Sequence, residues 1–300
     1  SFMLGQPIIR GSEMSKTLLA AAALFFMLVG CEAPKPETPP ETDSPTTTEA
    51  AAEASVAEAD MDAPTPTGYN EYIWCVNGEN FSEEAYAART AYWVNAVNEL
   101  GMQSLRAIDL TPSDWQSENF DRVTLLMWAD KAERDAGWAA YLEAGVEAAM
   151  NEEFPDVEIC GGENWANVYG HDKYAPRPAT VSWDAETHPA ALAGYQFCSF
   201  TEGSGPAQLR EIVRDDFISY VDAYEADNGP TTYTFGVLVP QFEMAAVERH
   251  EDVPMDVDFV WLNFWGDPAE RSVSDETWAE KGAEIQAAFD EVADCSADQF

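Results

Sequence analysis

Positive charge is what this sequence has least of: 15 Lys and Arg stand against 55 Asp and Glu in 300 residues, a formal net charge of −40. A surface this acidic repels phosphate backbones and anionic lipid heads, which excludes nucleic acid as a partner and electrostatic attachment to a membrane. The acid excess itself reads as a device for solubility. Histidine is scarcer still, with His171, His188 and His250 scattered over segments that read as connectors. His171, within Gly-His-Asp-Lys-Tyr, and His188, before Pro189, read as solvated linker positions. Cys-x-x-Cys pairs, clustered histidines, Asp-rich calcium loops, P-loops, dinucleotide fingerprints, nucleophile elbows and Ser-His-Asp spacings are all missing. The reading therefore includes no metal site and no cofactor. What is present is apolar matter: 46% hydrophobic and 12% aromatic residues suffice for a sizeable core in one or two domains.

The N-terminal part is built differently from the rest. From Met14 the chain reads Met-Ser-Lys, then an almost unbroken apolar run over 18–29, then Gly30 and Cys31. A run of about a dozen residues is too short to cross a hydrocarbon core of about 30 Å as a helix, and it reads as an export signal over 14–30. The alternative is a buried apolar helix with a chance cysteine. Leu28-Val29-Gly30-Cys31 resembles the lipobox of bacterial lipoproteins. That resemblance implies cleavage before Cys31, acylation of Cys31, and attachment to a membrane through its acyl chains, at about 0.8 kcal/mol per buried CH₂. Glu32 stands where an Asp is the usual inner-membrane retention signal in enteric-type bacteria, so the resemblance points to the periplasmic face of the outer membrane. Residues 1–13 precede this start and are set aside from the fold. Over 31–66, seven prolines among Thr, Ala and Glu, with no aromatic residue, predict a disordered, self-repelling tether. A Thr-rich glycosylated stalk would have the same mechanical effect.

From residue 67 the chain repeats itself. Tyr72-Ile73-Trp74-Cys75 is matched by Tyr195-Gln196-Phe197-Cys198, and Trp128-Ala-Asp130-Lys-Ala-Glu133-Arg134 by Trp265-Gly-Asp267-Pro-Ala-Glu270-Arg271. After a similar helix each unit reaches a further cysteine, Cys160 or Cys295. Three landmarks in one order predict a duplication, with units over 67–180 and 181–300. The first unit reads as strand 72–76, helix 82–100, strands 104–110 and 122–128, helix 131–151 and a final strand within 164–169. The second reads as strand 195–200, helix 206–226, strands 232–239 and 257–265, and helix 268–292. This α+β order, βαββαβ, is the ferredoxin-like arrangement. Two such units in tandem resemble the dimeric α+β barrel superfamily, which implies a monomer containing an internal pseudo-dimer. The second unit leaves no room for its final strand, which predicts a truncated C-terminus and an open sheet edge.

An even number of cysteines in an exported chain favours disulfides. Of the three pairings open to Cys75, Cys160, Cys198 and Cys295, the duplication selects Cys75 with Cys160 and Cys198 with Cys295. Asp130 and Asp267 fall where helix N-caps belong, and Glu133 and Glu270 three residues later complete the pattern of a capping box rather than a catalytic pair. Arg134 and Arg271 are expected to pair with nearby acids. In the third strands, Val123, Leu125 and Met127 match Val260, Leu262 and Phe264, a row suited to packing under helices. The opposite row, Arg122, Thr124, Leu126 and Trp128 with Phe259, Trp261, Asn263 and Trp265, is assigned to the cleft between the sheets. There it either binds an apolar or aromatic small ligand or fills space as core.

Members of the superfamily include haem-binding peroxidases and cofactor-free monooxygenases. A haem would need an axial histidine inside the fold, and none falls on a predicted core element. The first functional expectation is a non-catalytic, lipid-anchored binding module. The alternatives are a cofactor-free monooxygenase-like or isomerase-like enzyme, with Arg122 or Asn263 positioning an anionic intermediate, and a structural envelope lipoprotein.

Overall fold

The computed structural model describes residues 2–4, 63–113, 117, 120–161, 168–185, 187–242 and 257–296. The export signal, Cys31, the tether up to residue 62, and His250 lie outside the described residues. Contacts divide the chain into Ser12–Ala63, of which only Ala63 is described, and a unit made of Ser1–Gly11 with Pro64–Phe300. Among the described residues no helix is long and apolar enough to cross a membrane.

The second of these units is an α+β structure in which every strand pairing is antiparallel. After a short strand β1 (Phe2–Leu4), its first half runs β2 (Gly68–Asn77), α1 (Glu83–Glu99), β3 (Arg106–Pro112), β4 (Arg122–Trp128), α2 (Lys131–Glu143), α3 (Val146–Glu153), β5 (Glu158–Cys160) and β6 (Val168–Tyr174). The second half runs β7 (Leu192–Phe200), α4 (Pro206–Ile212), a π-turn (Val213–Phe217), α5 (Ile218–Asn228), β8 (Thr234–Pro240), β9 (Phe259–Trp265), α6 (Pro268–Lys281), α7 (Ala283–Val292) and β10 (Ala293–Cys295). The single helix expected over 131–151 is two helices, because Gly145 takes the left-handed conformation at φ 66°, which costs a residue without Cβ little. The helix expected over 268–292 also divides, at Gly282, which keeps a right-handed conformation at φ −86°.

Pairing follows the order β3-β4-β2-β6 in the first half and β8-β9-β7 in the second, and β6 joins them by pairing with β8. Both first strands are therefore flanked by the third strand of their half. On its other side β2 is covered twice, by β6 along Gly68–Ile73 and by β5 along Cys75–Asn77. The corresponding edge of β7 was expected to stand open. Instead β10 pairs with it at Cys198–Phe200, while β1 pairs with it at Leu192 and Ala193 and with β3 on its own far side. The path of hydrogen bonds thereby returns on itself, and the residues set aside at the N-terminus supply the strand that closes it. Closure covers the outer edge of β3 at Leu110–Pro112 and that of β7 at its two ends.

The structure pairs Cys75 with Cys160 and Cys198 with Cys295, each opposite the other in its antiparallel ladder. Each bond ties a first strand to the short strand that follows the helices.

Three cores result. One is shared by both halves and contains Tyr72, Leu125 and Val123 with Tyr195, Leu262 and Val260, against which Met127 and Phe264 pack. The others lie under the helices: Leu126 and Trp128 with Ile73, Val97 and Tyr141 in the first half, Phe259 and Trp261 with Val213, Phe217 and Val292 in the second. This reverses the expected faces of the third strands. Val123, Leu125, Met127, Val260, Leu262 and Phe264 face the shared interior, and the row beginning at Arg122 and Phe259 faces the helices. Alternation groups residues by face but does not say which face the helices cover. Arg122 made its row look like a cleft lining because its partners, on α1 and β5, are remote in sequence.

Candidate functional site

In the second half, the β9 row opens onto a cavity of about 540 Å³ between the sheet and helices α4 to α7. Its floor is Phe259, Trp261, Asn263 and Trp265, and Phe217, Tyr220, Trp278 and Phe289 close over it from the helices. The rings meet edge to face: Phe217 lies 5.3 Å from Trp261 at 80°, Tyr220 lies 5.1 Å from Trp278 at 83°, and Phe289 lies 5.4 Å from Trp261 at 67°. Edge-to-face contacts hold each ring in place. Asn263 is the polar centre of the floor. Its Oδ1 accepts from the Tyr233 hydroxyl at 2.8 Å and from Trp261 Nε1 at 3.0 Å. Both lone pairs are thus taken, which fixes the amide and leaves its NH₂ as the group on offer. Asp275, Asp290 and Asp294 stand among the lining residues, which include no Lys or Arg.

The same place in the first half has different chemistry. Arg122 and Phe259 are equivalent by register, each opposite the first-strand cysteine of its half. So are Thr124 and Trp261, and, one strand further out, Asp109 and Val237. Glu158 on β5 corresponds to Ala293 on β10. Where the second half carries Phe, Trp, Val and Ala, the first carries Arg, Thr, Asp and Glu. Arg89 Nη1 donates to Glu158 Oε2 at 2.6 Å, Arg122 reaches Glu158 Oε1 at 3.4 Å and donates to Asn77 Oδ1 at 2.6 Å, and Thr124 Oγ1 donates to Asp109 Oδ1 at 3.0 Å. The Arg122 guanidinium also stacks over the Tyr86 ring at 3.9 Å. Burial pushes the Glu158 carboxyl above its usual range, and the two guanidiniums pull it part of the way back. Burial and then Asp109 hold the Tyr86 phenol well above its ordinary value. A smaller cavity of about 230 Å³ adjoins this network, lined by Trp93, Trp138 and Tyr141 among others. Its charges neutralise one another, so Arg122 is committed and does not face the shared interior.

Trp128 and Trp265 end the two rows at equivalent positions, 5% exposed, with indole nitrogens that have no hydrogen-bond partner among the described residues. Trp265 lines the larger cavity, whereas Trp128 packs against Gly137, where a Cβ would meet its ring at 2.7 Å.

Asp130 and Asp267 cap their helices: Asp130 Oδ1 accepts from the Glu133 N–H at 2.8 Å, and Asp267 Oδ1 from those of Ala269 and Glu270 at 2.7 and 2.9 Å. The glutamates do not close a reciprocal box. Glu133 takes the hydroxyl of Ser104, and Glu270 takes the hydroxyl and the N–H of Thr232, the latter at 2.7 Å. Ser104 and Thr232 each stand two residues before the second strand of their half, so these carboxylates tie helix start to strand start. Arg134 pairs with Glu71 and Asp135, and Arg271 with Asp275.

His171 is not the solvated linker residue its sequence neighbours suggest. It lies on β6, 7% exposed, with Nδ1 3.1 Å from the Tyr169 carbonyl and its ring edge-on to Tyr72 and Phe242 at 5.5 and 5.3 Å. Burial drives its pKa down to about 4. Between that value and about 6.5 the unfolded chain holds a proton that the folded chain does not, so stability falls as pH drops through this window. The loss amounts to about 3 kcal/mol by pH 4, taking about 1.4 kcal/mol per unit. Urea unfolding of the wild type and of His171→Gln across pH 7 to 4 checks this: the variant should lose distinctly less stability over that range, and parallel curves would refute the assignment.

Several lining residues carried a readable signal. Phe217, Tyr220 and Tyr224 recur at helical spacing on one face. Arg89, Glu158 and Glu71 carried none, since an isolated charge in a helix or strand reads as solvated.

No family model matches this sequence, and no curated protein matches it. Among solved structures, a monooxygenase candidate from Fusobacterium nucleatum superposes with a TM-score of 0.43 at 10% identity, over 77% of this chain and 91% of that one. A mutant chlorite dismutase from Candidatus Nitrospira defluvii, in complex with cyanide, gives 0.38 at 8% identity, over 76% and 84%. At such scores the likeness says nothing of activity.

Proposed function

We propose that this chain is a lipid-anchored envelope protein whose duplicated α+β domain binds a compact apolar or aromatic small molecule in the cavity of its second half. The observation that carries the proposal is that cavity: about 540 Å³, walled by aromatic rings, with the fixed amide of Asn263 at its floor. Ligand sites are typically concave, mostly apolar, about 300–1,000 Å³ in volume, and carry a few placed polar groups. Of the binding residues read from the sequence, Phe259, Trp261, Asn263 and Trp265 line it, between sheet and helices rather than between sheets, and Arg122, Thr124 and Trp128 do not. The architecture we assign is two tandem ferredoxin-like repeats forming a pseudo-dimeric α+β barrel. The matching strand orders, the paired cysteines and the closed path of pairings support it. Acylation at Cys31, a tether beyond it, and a place at the periplasmic face of the outer membrane complete the proposal; they rest on the lipobox resemblance.

Trp261, Trp265 and Trp278 at the cavity make tryptophan emission a direct reporter. Across a panel of apolar and aromatic compounds, ligands should change emission and raise Tm together, by the equivalent of about 2.7 kcal/mol at a hundredfold excess over Kd. Ser274→Trp, which fills the cavity at a half-buried lining position, should abolish both effects while keeping the unliganded Tm within a few degrees. Unchanged binding by that variant, or no response to any compound, would refute the site.

A further inference from the structure

We infer that the occupant of this cavity is an organic cation, an amine or quaternary ammonium group on an apolar body; the inference rests on the binding role proposed above. The lining contains three carboxylates, Asp275, Asp290 and Asp294, and no Lys or Arg. Arg271 shares Asp275 at 3.3 Å, but the partner of Asp290 is the neutral amide of Gln286, at 2.7 Å. Behind them stand the rings of Trp261, Trp278, Tyr220 and Phe289. An aromatic face presents the negative part of the ring quadrupole, and cations within about 6 Å of a ring centroid are attracted to it, most strongly to tryptophan.

An acidic protein shows acids almost everywhere, so the comparison that matters is internal. At the equivalent place, the first half brings its own cations, Arg89 and Arg122, to face Glu158, while Asp109 accepts from the Thr124 hydroxyl. In the second half, Phe259 occupies the position of Arg122; the guanidinium of Arg271 lies 5.6 Å from the Trp265 ring centroid and pairs with Asp275, and among the described residues Asp290 and Asp294 have no cation facing them. One cavity of the pair is electrically satisfied from within and the other only at Asp275. The field of a chain with net charge −40 draws cations toward the same opening and repels anions. The buried, unpartnered indole N–H of Trp265 adds one donor for an oxygen carried on the same ligand.

The test uses the full chain and three probes followed by tryptophan emission: benzyltrimethylammonium, its neutral isostere neopentylbenzene, and benzoate. The cation is expected to bind about tenfold more tightly than the isostere, as a partly desolvated cation–π contact gives. Its affinity should weaken from low to high salt, and benzoate should not bind. Asp290→Asn combined with Asp294→Asn should lower the cation's affinity several-fold and leave the isostere's unchanged. Equal or tighter binding of the isostere, or binding of benzoate, overturns the charge assignment while leaving the cavity a ligand site. Failure of cation and isostere alike overturns the binding role together with it.

Discussion

Replacing Arg134 with methionine is expected to cost about 3–5 kcal/mol of folding stability, because it strands a buried carboxylate. Glu71 lies in the middle of β2 and is fully buried. Its Oε1 accepts from Arg134 Nε at 2.9 Å and from Arg134 Nη2, and its Oε2 accepts from Trp138 Nε1 at 2.7 Å. These donors all come from α2, so the cluster pins that helix to the first strand. A carboxylate in such a place is tolerable only while its charge is met; removing the partner leaves the desolvation cost uncompensated. The double variant Glu71→Leu with Arg134→Met, which removes both charges, should recover most of the loss. The second half supports this, since by register Gly194 stands where Glu71 does, and Arg271 turns instead to the exposed Asp275. Denaturant unfolding of the two single variants and the double variant measures the coupling. A single variant within about 1 kcal/mol of the wild type, below the range for a stranded buried charge, would refute the account.

The second large effect belongs to the disulfides, and the two should differ in what they do to the cavity. Their cysteines are 85 and 97 residues apart. Loops of that size give up to about 4.7 kcal/mol each in the chain-entropy model, and losses of about 2–5 kcal/mol are usual when a native bond is removed. The Cys198–Cys295 bond has a further task. β10 is three residues long and reaches β7 at Cys198–Phe200, and Asp294, Cys295 and Ser296 line the aromatic cavity. The Cys198→Ala, Cys295→Ala pair should therefore lower Tm and weaken ligand binding together, as the cavity wall frays. The Cys75→Ala, Cys160→Ala pair should lower Tm comparably and leave ligand affinity alone. Thermal unfolding with tryptophan titration separates the two. Equal loss of binding from both would mean that the wall does not depend on β10.

Much of the scaffold is legible without coordinates, and particular residues explain why. β4 begins at Arg122 and ends at Trp128, as the apolar run and the following Asp130 cap require. The strand containing His171 is legible only at its start: a final strand is expected within 164–169, and β6 runs Val168–Tyr174. Gly-His-Asp-Lys-Tyr has the composition of a linker, and its burial comes from β2 on one side and β8 on the other, both remote in sequence. A similar reason hides the site. Trp261 and Asn263 are visible as one row of a strand, but Phe217, Tyr233, Trp278 and Phe289, which complete the cavity, come from four other elements or connections.

What the sequence determined by itself is whatever depends on neighbours or on repetition: the order of the longer strands and of the helical segments, the N-caps at Asp130 and Asp267, and the pairing of cysteines that repeat at matched places. What the tertiary structure decided is the side of each strand on which the helices lie, and with it that Arg122 is locked in an ion-pair network while Phe259 and Trp261 floor an aromatic cavity. The physical reason is that a period of two residues defines two faces and treats them alike. Only the long-range packing of α1 to α7, with the charges and rings they bring, makes one of those faces the shared interior and the other the site.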